Sequence, residues 1–369
     1  AQVALNNQDY ENAAKIYLYV IREFPQGTHY LMARLGLIRT RESKIRNTFP
    51  VNQDSVKTLI TDYKKFIEQY PDISHSLEAS RNKALLFANY LGQQDSAITI
   101  LTKLISNPRT PANLKSRAKL DLGDIYLIKG EPWESTLLYS QVEKIQKESI
   151  IGYEAKLKNA KLSYFRGDFN LAQEHLDILK EATTREIAND AMDLSMRIKE
   201  NIAMDSSGHA LRQYAFVELL LYQNKIHKAL QKLADLRQGK AKISKEEALL
   251  MKPVPSSAAE DSVTITFSTH TISDDACWLE ATIRLQQGEF QMALNLLQKI
   301  LTEYPDDVLA DDAYFKQGEI YERQLNDKEK AKEIYREFLN KFPGSVYAAE
   351  ARKRFRQLRG DFAGQDTMP

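Results

Sequence analysis

Histidine and cysteine, which most often supply metal ligands and nucleophiles, are sparse and scattered in this chain. The six histidines are His29, His75, His175, His209, His227 and His270. None of them has the His-Glu-x-x-His spacing that holds zinc, and neither a Gly-x-Ser-x-Gly elbow nor a glycine-rich phosphate loop is present. Cys277 is the only cysteine, which excludes an internal disulfide, and its place beside Trp278 on an apolar helix face favours a core thiol over a nucleophile. The sequence therefore predicts a protein that is not an enzyme and has no cofactor, although catalytic groups can also converge without a local motif.

An acidic group near residue 309 raises the question of a metal site. It comprises Asp306, Asp307, Asp311 and Asp312. The spacing lacks the alternating ligands and the glycine of a calcium loop. Asp306 and Asp307 follow Pro305, where the first turn of a helix favours carboxylates because of its positive dipole end. We therefore predict helix capping and no metal.

A basic group closes the chain in "EARKRFRQLRG". It comprises Arg352, Lys353, Arg354, Arg356 and Arg359. A nucleic-acid surface is one interpretation, but aromatic interleaving is limited to Phe355 and the whole chain is close to neutral. The other is a solvent-facing capping helix that turns Ala351, Phe355 and Leu358 inward. We predict the capping helix and no nucleic-acid partner.

Composition indicates a helical protein with a sizeable core. The chain has 369 residues, 43% hydrophobic and 27% charged, with few glycines and prolines (14 and 11). Fifty-one basic and 50 acidic residues nearly cancel, so no global field attracts nucleic acid or an anionic membrane. No apolar run approaches the ~18 residues of a membrane span.

The elements that would position these residues recur along the chain. In "DYENAAKIYLYVIREFP", "GEFQMALNLLQKILTEYP" and "DKEKAKEIYREFLNKFP" an alanine stands twelve residues before a proline. Four residues after each alanine comes Tyr17, Leu297 or Tyr335, which places both side chains on one helix face. The proline ends the helix. An upstream helix carries a glycine, Gly123 in one copy and Gly318 in another, which indicates a close helix crossing.

This repeating unit, a helical hairpin of roughly 34 residues, resembles the tetratricopeptide repeat. Looser copies carry Pro71, Ala97, Tyr139 and Ala172. The resemblance implies an all-α solenoid of stacked antiparallel hairpins that binds a protein or peptide as a monomer. The "FP" and "YP" helix ends are similar to a bacterial envelope subtype that includes the outer-membrane assembly lipoprotein and the Tol-Pal coordinator. That likeness implies a periplasmic or cell-envelope scaffold; the alternative is a cytoplasmic co-chaperone or regulatory adaptor.

In tetratricopeptide arrays the first helix of each hairpin lines the ligand groove. Carried over to this chain, that rule implies a set of groove candidates, each of which could instead pack between repeats. They are Tyr30, Arg41, Arg117, Asp124, Lys161, Tyr164, Trp278, Thr282, Glu319 and Arg323. The mixed charge of the set argues against a simple acidic or basic peptide as the ligand.

Breaks in the repeat divide the chain into three predicted parts. Residues 1–238 form a solenoid block that is irregular near 183–224, with its likeliest break at Ser206–Gly208, and residues 274–369 form a C-terminal repeat pair with a capping helix. Residues 239–273 are predicted to be a non-helical insertion or linker, in which Val263, Ile265 and Phe267 alternate with polar residues as in a strand. The insertion is either a linker or surface loop, or an arm that adds a strand to a partner. Residue 1 falls at the end of a helix, so we expect a further helix upstream, and a lipid anchor there is possible.

Overall fold

The fold, seen in a computed structural model, is an all-α solenoid of stacked helical hairpins. The structure describes residues 1–48, 51–71, 73–181, 184–204, 207–244, 262–267 and 272–361. The first ten helices are α1 (Gln2–Asn6), α2 (Tyr10–Glu23), α3 (Tyr30–Arg46), α4 (Gln53–Gln69), α5 (Ser74–Tyr90), α6 (Gln94–Ser106), α7 (Ala112–Lys129), α8 (Pro132–Gln146), α9 (Ile150–Phe165) and α10 (Phe169–Leu179). The others are α11 (Arg185–Met204), α12 (His209–Tyr222), α13 (Ile226–Arg237), α14 (Ser273–Gln286), α15 (Phe290–Glu303), α16 (Leu309–Glu319), α17 (Lys328–Lys341) and α18 (Ala348–Arg359). A π-helical turn, Ile320–Gln324, continues α16.

A left-handed residue marks the turn inside most hairpins. It stands immediately before the N-cap of the second helix, with φ between 53° and 92°. The residues are Gln8, Gly92, Gly130, Gly167, Asn224, Gly288 and Asn326. Glycine and asparagine tolerate this conformation best, so these positions end one helix and reverse the chain. The α3–α4 hairpin has a longer connection instead.

The aromatic–proline ends of the second helices are confirmed. α2, α4, α15 and α17 each end one residue before the aromatic residue, and the proline follows it. Proline lacks an N–H and excludes its predecessor from helical geometry, so each helix stops there. At the opposite ends of α2 and α17, Asp9 and Asp327 accept hydrogen bonds from the backbone N–H of Asn12 and Lys330.

Close contact between a glycine and a tyrosine ring joins the two helices of several hairpins. A Cβ built on Gly318 would lie 2.6 Å from Cε1 of Tyr335, and the same overlap arises between Gly123 and Tyr139. The ring therefore lies directly on the backbone of the first helix. In the hairpin of α14 and α15 the equivalent pair is Ala281 and Leu297, which share one core cluster. A smaller side chain on the second helix leaves room for a Cβ on the first.

The described chain divides into two compact units. One unit is Ala1–Leu162 with Glu174–Met192, and within it α2 to α8 stack in sequence, each helix in contact with the next. The other is Ser163–Gln173 with Asp193–Pro369, where α12 to α18 contact one another in the same order. The block boundaries that we place at residues 239–273 stay a prediction.

The irregular stretch 183–224 contains one additional helix. α11 is a single helix of 20 residues, and α12 then begins a regular hairpin with α13. The predicted break is partly confirmed, since Gly208 precedes α12 with φ of 59°, whereas Ser206 lies outside the described residues. An odd helix in a two-helix repeat explains why the stretch resists division into pairs.

The insertion contains a strand that the sequence prediction missed. β1 (Lys240–Ser244) pairs antiparallel with β2 (Ser262–Thr266), and Ile265 and Phe267 pack on Ala241 and Ile243. We expected sheet only at Val263–Ile272, although "KAKIS" also alternates polar and apolar residues with the period of a strand. Lys232 on α13 donates a hydrogen bond to the carbonyl of Lys242, which holds the hairpin on its own unit. Residues 245–261 and 268–271 of the insertion lie outside the described residues.

The helices on either side of the insertion pack together. α13 contacts α14, and Arg237 forms an ion pair of 3.2 Å with Glu280. Among the helices that the structure describes, none is both long and apolar enough to cross a membrane.

We predict that Gly318→Ala destabilises the protein by roughly 1–3 kcal/mol, because the new Cβ overlaps the Tyr335 ring. Without the ring, alanine would be the better helix former by about 1 kcal/mol. The free energy of unfolding in urea measures the effect.

Two further variants test whether overlap of the new Cβ with the Tyr335 ring causes the loss of stability. Gly344→Ala is the matched control, since a Cβ there meets no atom within 4 Å. In a Tyr335→Leu background, which imitates the Ala281–Leu297 pair, Gly318→Ala should cost nothing or stabilise. An equal cost of Gly318→Ala in both backgrounds would show that the ring is not the cause.

Candidate functional site: the first-helix face and the ion pairs beneath it

The ten groove candidates all lie on first helices or on the π-helical continuation of one. Within each compact unit taken by itself, we call the surface of the first helices that carries these candidates the first-helix face; the helices concerned are α3, α7, α9, α14 and α16. Arg41, Arg117 and Arg323 are exposed, and the other candidates except Tyr164 are half-buried. The resemblance thus places nine of the ten where a partner could touch them.

Tyr164 is a correction to that set. Its side chain is 1% exposed and packs at ring-centroid distances of 5.9 Å from both Phe165 and Phe169. Burial also raises the pKa of its hydroxyl. Tyr164 follows Ala160 by four residues, so it belongs to the inward stripe of α9. It is a core residue and not part of the first-helix face.

A tyrosine–carboxylate network lies beneath the first-helix face. The hydroxyl of Tyr139, on the second helix α8, donates to Asp124 of α7 at 2.7 Å. Asp124 in turn accepts from Lys158 of the next first helix, α9, at 2.9 Å. The ring that contacts Gly123 therefore also orients the carboxylate that links two hairpins.

The same arrangement recurs in the C-terminal repeat. Tyr335 donates to Glu322 at 2.7 Å, and Glu322 accepts from Arg354 of α18 at 3.1 Å. Arg354 also donates to Glu319 at 3.0 Å and to Glu350 at 2.9 Å. Burial and the bond to Glu322 raise the pKa of the Tyr335 hydroxyl, which remains a donor at neutral pH.

Arg354 corrects the prediction of a solvent-facing basic helix. Its side chain is 8% exposed because three carboxylates and the Tyr335 hydroxyl surround it. The inward packing of Ala351, Phe355 and Leu358 is confirmed. The remaining basic residues of the helix are exposed: Arg352, Lys353, Arg356 and Arg359. α18 thus caps the last hairpin by an ionic contact as well as an apolar one.

Ion pairs join consecutive first helices throughout the N-terminal unit. We call the four pairs the ion-pair series. They are Arg39–Glu78 (α3 to α5, 2.9 Å), Arg81–Asp121 (α5 to α7, 2.8 Å), Lys158–Asp124 (α7 to α9, 2.9 Å) and Lys161–Asp190 (α9 to α11, 3.0 Å). Two groove candidates, Asp124 and Lys161, are therefore engaged within the chain. Sequence reasoning missed Arg81, Asp121 and Lys158, because each lies on a helix with several other charged residues and nothing in the local pattern distinguishes it.

Arg81 and Asp121 form the least exposed pair of the ion-pair series, and it has two hydrogen bonds. The guanidinium binds both carboxylate oxygens of Asp121, which is 8% exposed. Burial raises the pKa of Asp121, and the Arg81 guanidinium offsets part of that rise. Asp121 is buried and Arg81 is half-buried, and their paired hydrogen bonds make each depend on the other, since either one alone would hold its charge largely out of water without a counter-charge.

Nothing in the described residues assembles a metal or nucleophile site. No group of three or more His, Cys, Asp or Glu side chains there could hold a metal ion. Cys277 is 1% exposed, and burial raises the pKa of its thiol, so the reactive thiolate is disfavoured. Asp312 accepts a hydrogen bond of 2.7 Å from Tyr347, and Asp311 and Asp312 lie in the first turn of α16. Asp306 and Asp307, which we expected in that turn, precede the helix.

Comparison with protein families identifies two repeats. A family model described as tetratricopeptide repeat matches residues 275–307 and 312–345. These ranges correspond to the hairpins α14–α15 and α16–α17, including their aromatic–proline ends. Among curated protein sequences, none matches the chain.

Two solved structures show a distant likeness. One is a monomeric mutant of IFIT1 with Gppp-AAAA, at 13% identity and a TM-score of 0.34, covering 95% of this chain and 67% of that one. The other is the human IFIT1 dimer with m7Gppp-AAAA, at 13% identity and a TM-score of 0.35, covering 97% of this chain and 69% of that one. The repeat assignment rests on the family model and on the helix packing described above.

We predict that Asp121→Ala destabilises the protein by roughly 1–3 kcal/mol, because Arg81, whose side chain is only 21% exposed, would lose its counter-charge. Asp190→Ala is the matched control in the same series. Lys161 and Asp190 are 44% and 54% exposed, so losing that pair should cost less than about 1 kcal/mol. Urea unfolding of both variants measures the difference, and equal costs would contradict a structural role for the buried pair.

Proposed function

We propose, from the two tetratricopeptide repeats at residues 275–345, that the protein is a non-catalytic scaffold that binds a protein or peptide on its first-helix face. Tetratricopeptide repeats indicate a protein–protein interaction scaffold. The observation that carries the proposal is the surface of those repeats. Trp278 and Thr282 are half-buried there, and Arg323 exposes 58% of its side chain.

The ion pairs narrow the kind of partner. Asp124, Lys161 and Glu319 already neutralise charges of neighbouring helices, so they orient the surface more than they recognise a ligand. Arg41 pairs with Asp62 but is exposed. Recognition then rests on exposed arginines together with aromatic surface at Trp278 and Tyr30. Such a surface fits a folded or extended protein segment with mixed apolar and acidic groups.

For the compartment we propose a periplasmic or cell-envelope role in assembly or anchoring. The aromatic–proline helix ends at Pro25, Pro71, Pro305 and Pro343 support it, because they are similar to the envelope subtype. A cytoplasmic co-chaperone or regulatory adaptor is the competing proposal. Recovery of a partner from an envelope fraction and not from a cytosolic fraction would distinguish the two.

We predict that charge reversal on the first-helix face weakens partner capture by the intact chain. Arg117→Glu and Arg323→Glu should each reduce recovery, because both arginines are exposed on first helices. Quantified pull-down, with circular dichroism to establish that each variant is folded, measures the effect.

The matched controls make the same charge change on second helices. Lys144 on α8 belongs to the hairpin of Arg117, and Arg336 on α17 belongs to the hairpin of Arg323. Both are exposed, so Lys144→Glu and Arg336→Glu should leave recovery unchanged. Loss of binding only in the second-helix variants would place the interface on the opposite surface and refute the proposal.

A further inference from the structure

Arg197 lies between two carboxylates, one on α12 and one in the first turn of α14. Arg197 on α11 lies 3.2 Å from a carboxylate oxygen of Glu218 on α12 and 4.0 Å from one of Asp275 on α14. Its guanidinium also stands 5.7 Å from the centre of the Tyr214 ring. We call Arg197, Tyr214, Glu218 and Asp275 the Arg197 junction. All four lie within one compact unit.

Negative charge exceeds positive charge around Asp275. The groups that act on it are Arg197 from α11, Glu218 and Tyr214 from α12, Asp274 from its own helix and Asp307 from the turn before α16. Among these described groups Arg197 is the one cation, and its closer partner is Glu218. Asp274 is 6% exposed, so water screens its charge poorly. Asp275 thus has one nearby cation, shared with Glu218, against three neighbouring carboxylates.

Burial and the excess of negative charge both raise the pKa of Asp275. Burial raises the pKa of Asp275 to about 7; Arg197 opposes the rise, and Asp274, Glu218 and Asp307 add to it. The proton on Asp275 is therefore exchanged near neutral pH. When Asp275 is protonated, Arg197 pairs with Glu218 alone. When Asp275 is ionised, Glu218 and Asp275 compete for the same guanidinium.

We propose that the Arg197 junction is a pH-sensitive contact, in which ionisation of Asp275 loosens the first turn of α14 by adding a negative charge beside Asp274, Glu218 and Asp307, and protonation relieves that repulsion. The device acts on the helix that begins the matched repeats and carries Trp278, one turn beyond Asp275. This contact requires no partner, so its pH dependence can be tested independently of the scaffold function.

The dependence of stability on pH has a defined sign. Well below pH 4, Asp275 is protonated in both the folded and the unfolded state, so its titration does not change stability there. Between about 4 and 7 the folded state retains a proton that the unfolded state has lost, so stability falls as pH rises. Well above pH 7, Asp275 is ionised in both states, and the stability lost by its ionisation no longer changes with pH.

The first test measures unfolding of the intact chain from pH 4 to pH 8. Asp275→Asn imitates the protonated group, so its unfolding equilibrium constant should be lower than that of the wild type by up to about 10³-fold at pH 8 and equal near pH 4. Glu289→Gln is the matched control, a carboxylate-to-amide change at the exposed start of α15. A pH-independent gain in Asp275→Asn would overturn the proposal.

The second test follows the contact directly. The chain has two tryptophans, so Trp133→Phe leaves Trp278 as the only one, and its emission should titrate with a midpoint near pH 7. Asp275→Asn should abolish this titration, which separates it from any histidine. Glu218→Gln should move the midpoint to lower pH, since Arg197 would then serve Asp275 alone. A midpoint unchanged in both variants would show that the junction does not control α14.

Discussion

The contact of a glycine with a tyrosine ring is the constraint on which the α7–α8 and α16–α17 hairpins depend. Because Gly123 and Gly318 have no Cβ, the rings of Tyr139 and Tyr335 lie on the backbone of the first helix. That position brings each hydroxyl to a carboxylate, Asp124 in one repeat and Glu322 in the other. A larger residue in place of the glycine would displace the ring and its hydrogen bond together.

The same carboxylates also form ion pairs with the next helix along the stack. Asp124 binds Lys158 of the following first helix, and Glu322 binds Arg354 of the capping helix. Close packing inside a hairpin and electrostatic attachment between hairpins are therefore parts of one arrangement. Arg354 is the buried member of these pairs and the other three residues are half-buried, so removal of its carboxylates would leave a charge with little access to water. The geometry of the first-helix face follows from it.

Charges on the first-helix face thus serve two purposes. In the ion-pair series they hold neighbouring helices and are paired within the chain. At the Arg197 junction neutralisation is incomplete, since one guanidinium faces two carboxylates. The same kind of contact that stabilises one part of the chain makes another part sensitive to pH.

The sequence by itself determined the helical hairpins, their aromatic–proline ends and the packing of Ala331 and Tyr335 on one face, because these depend on local dihedral limits and on a period of 3.6 residues. It also indicated β2, but not β1, whose alternation is as short and includes two lysines. Only the tertiary structure decided which charged residues are buried. Arg354 reads as a surface position in a basic run, yet Glu319 and Glu322 of the preceding repeat surround its guanidinium. Burial of a side chain depends on what packs against it from distant parts of the chain, and a local pattern carries no information about that partner.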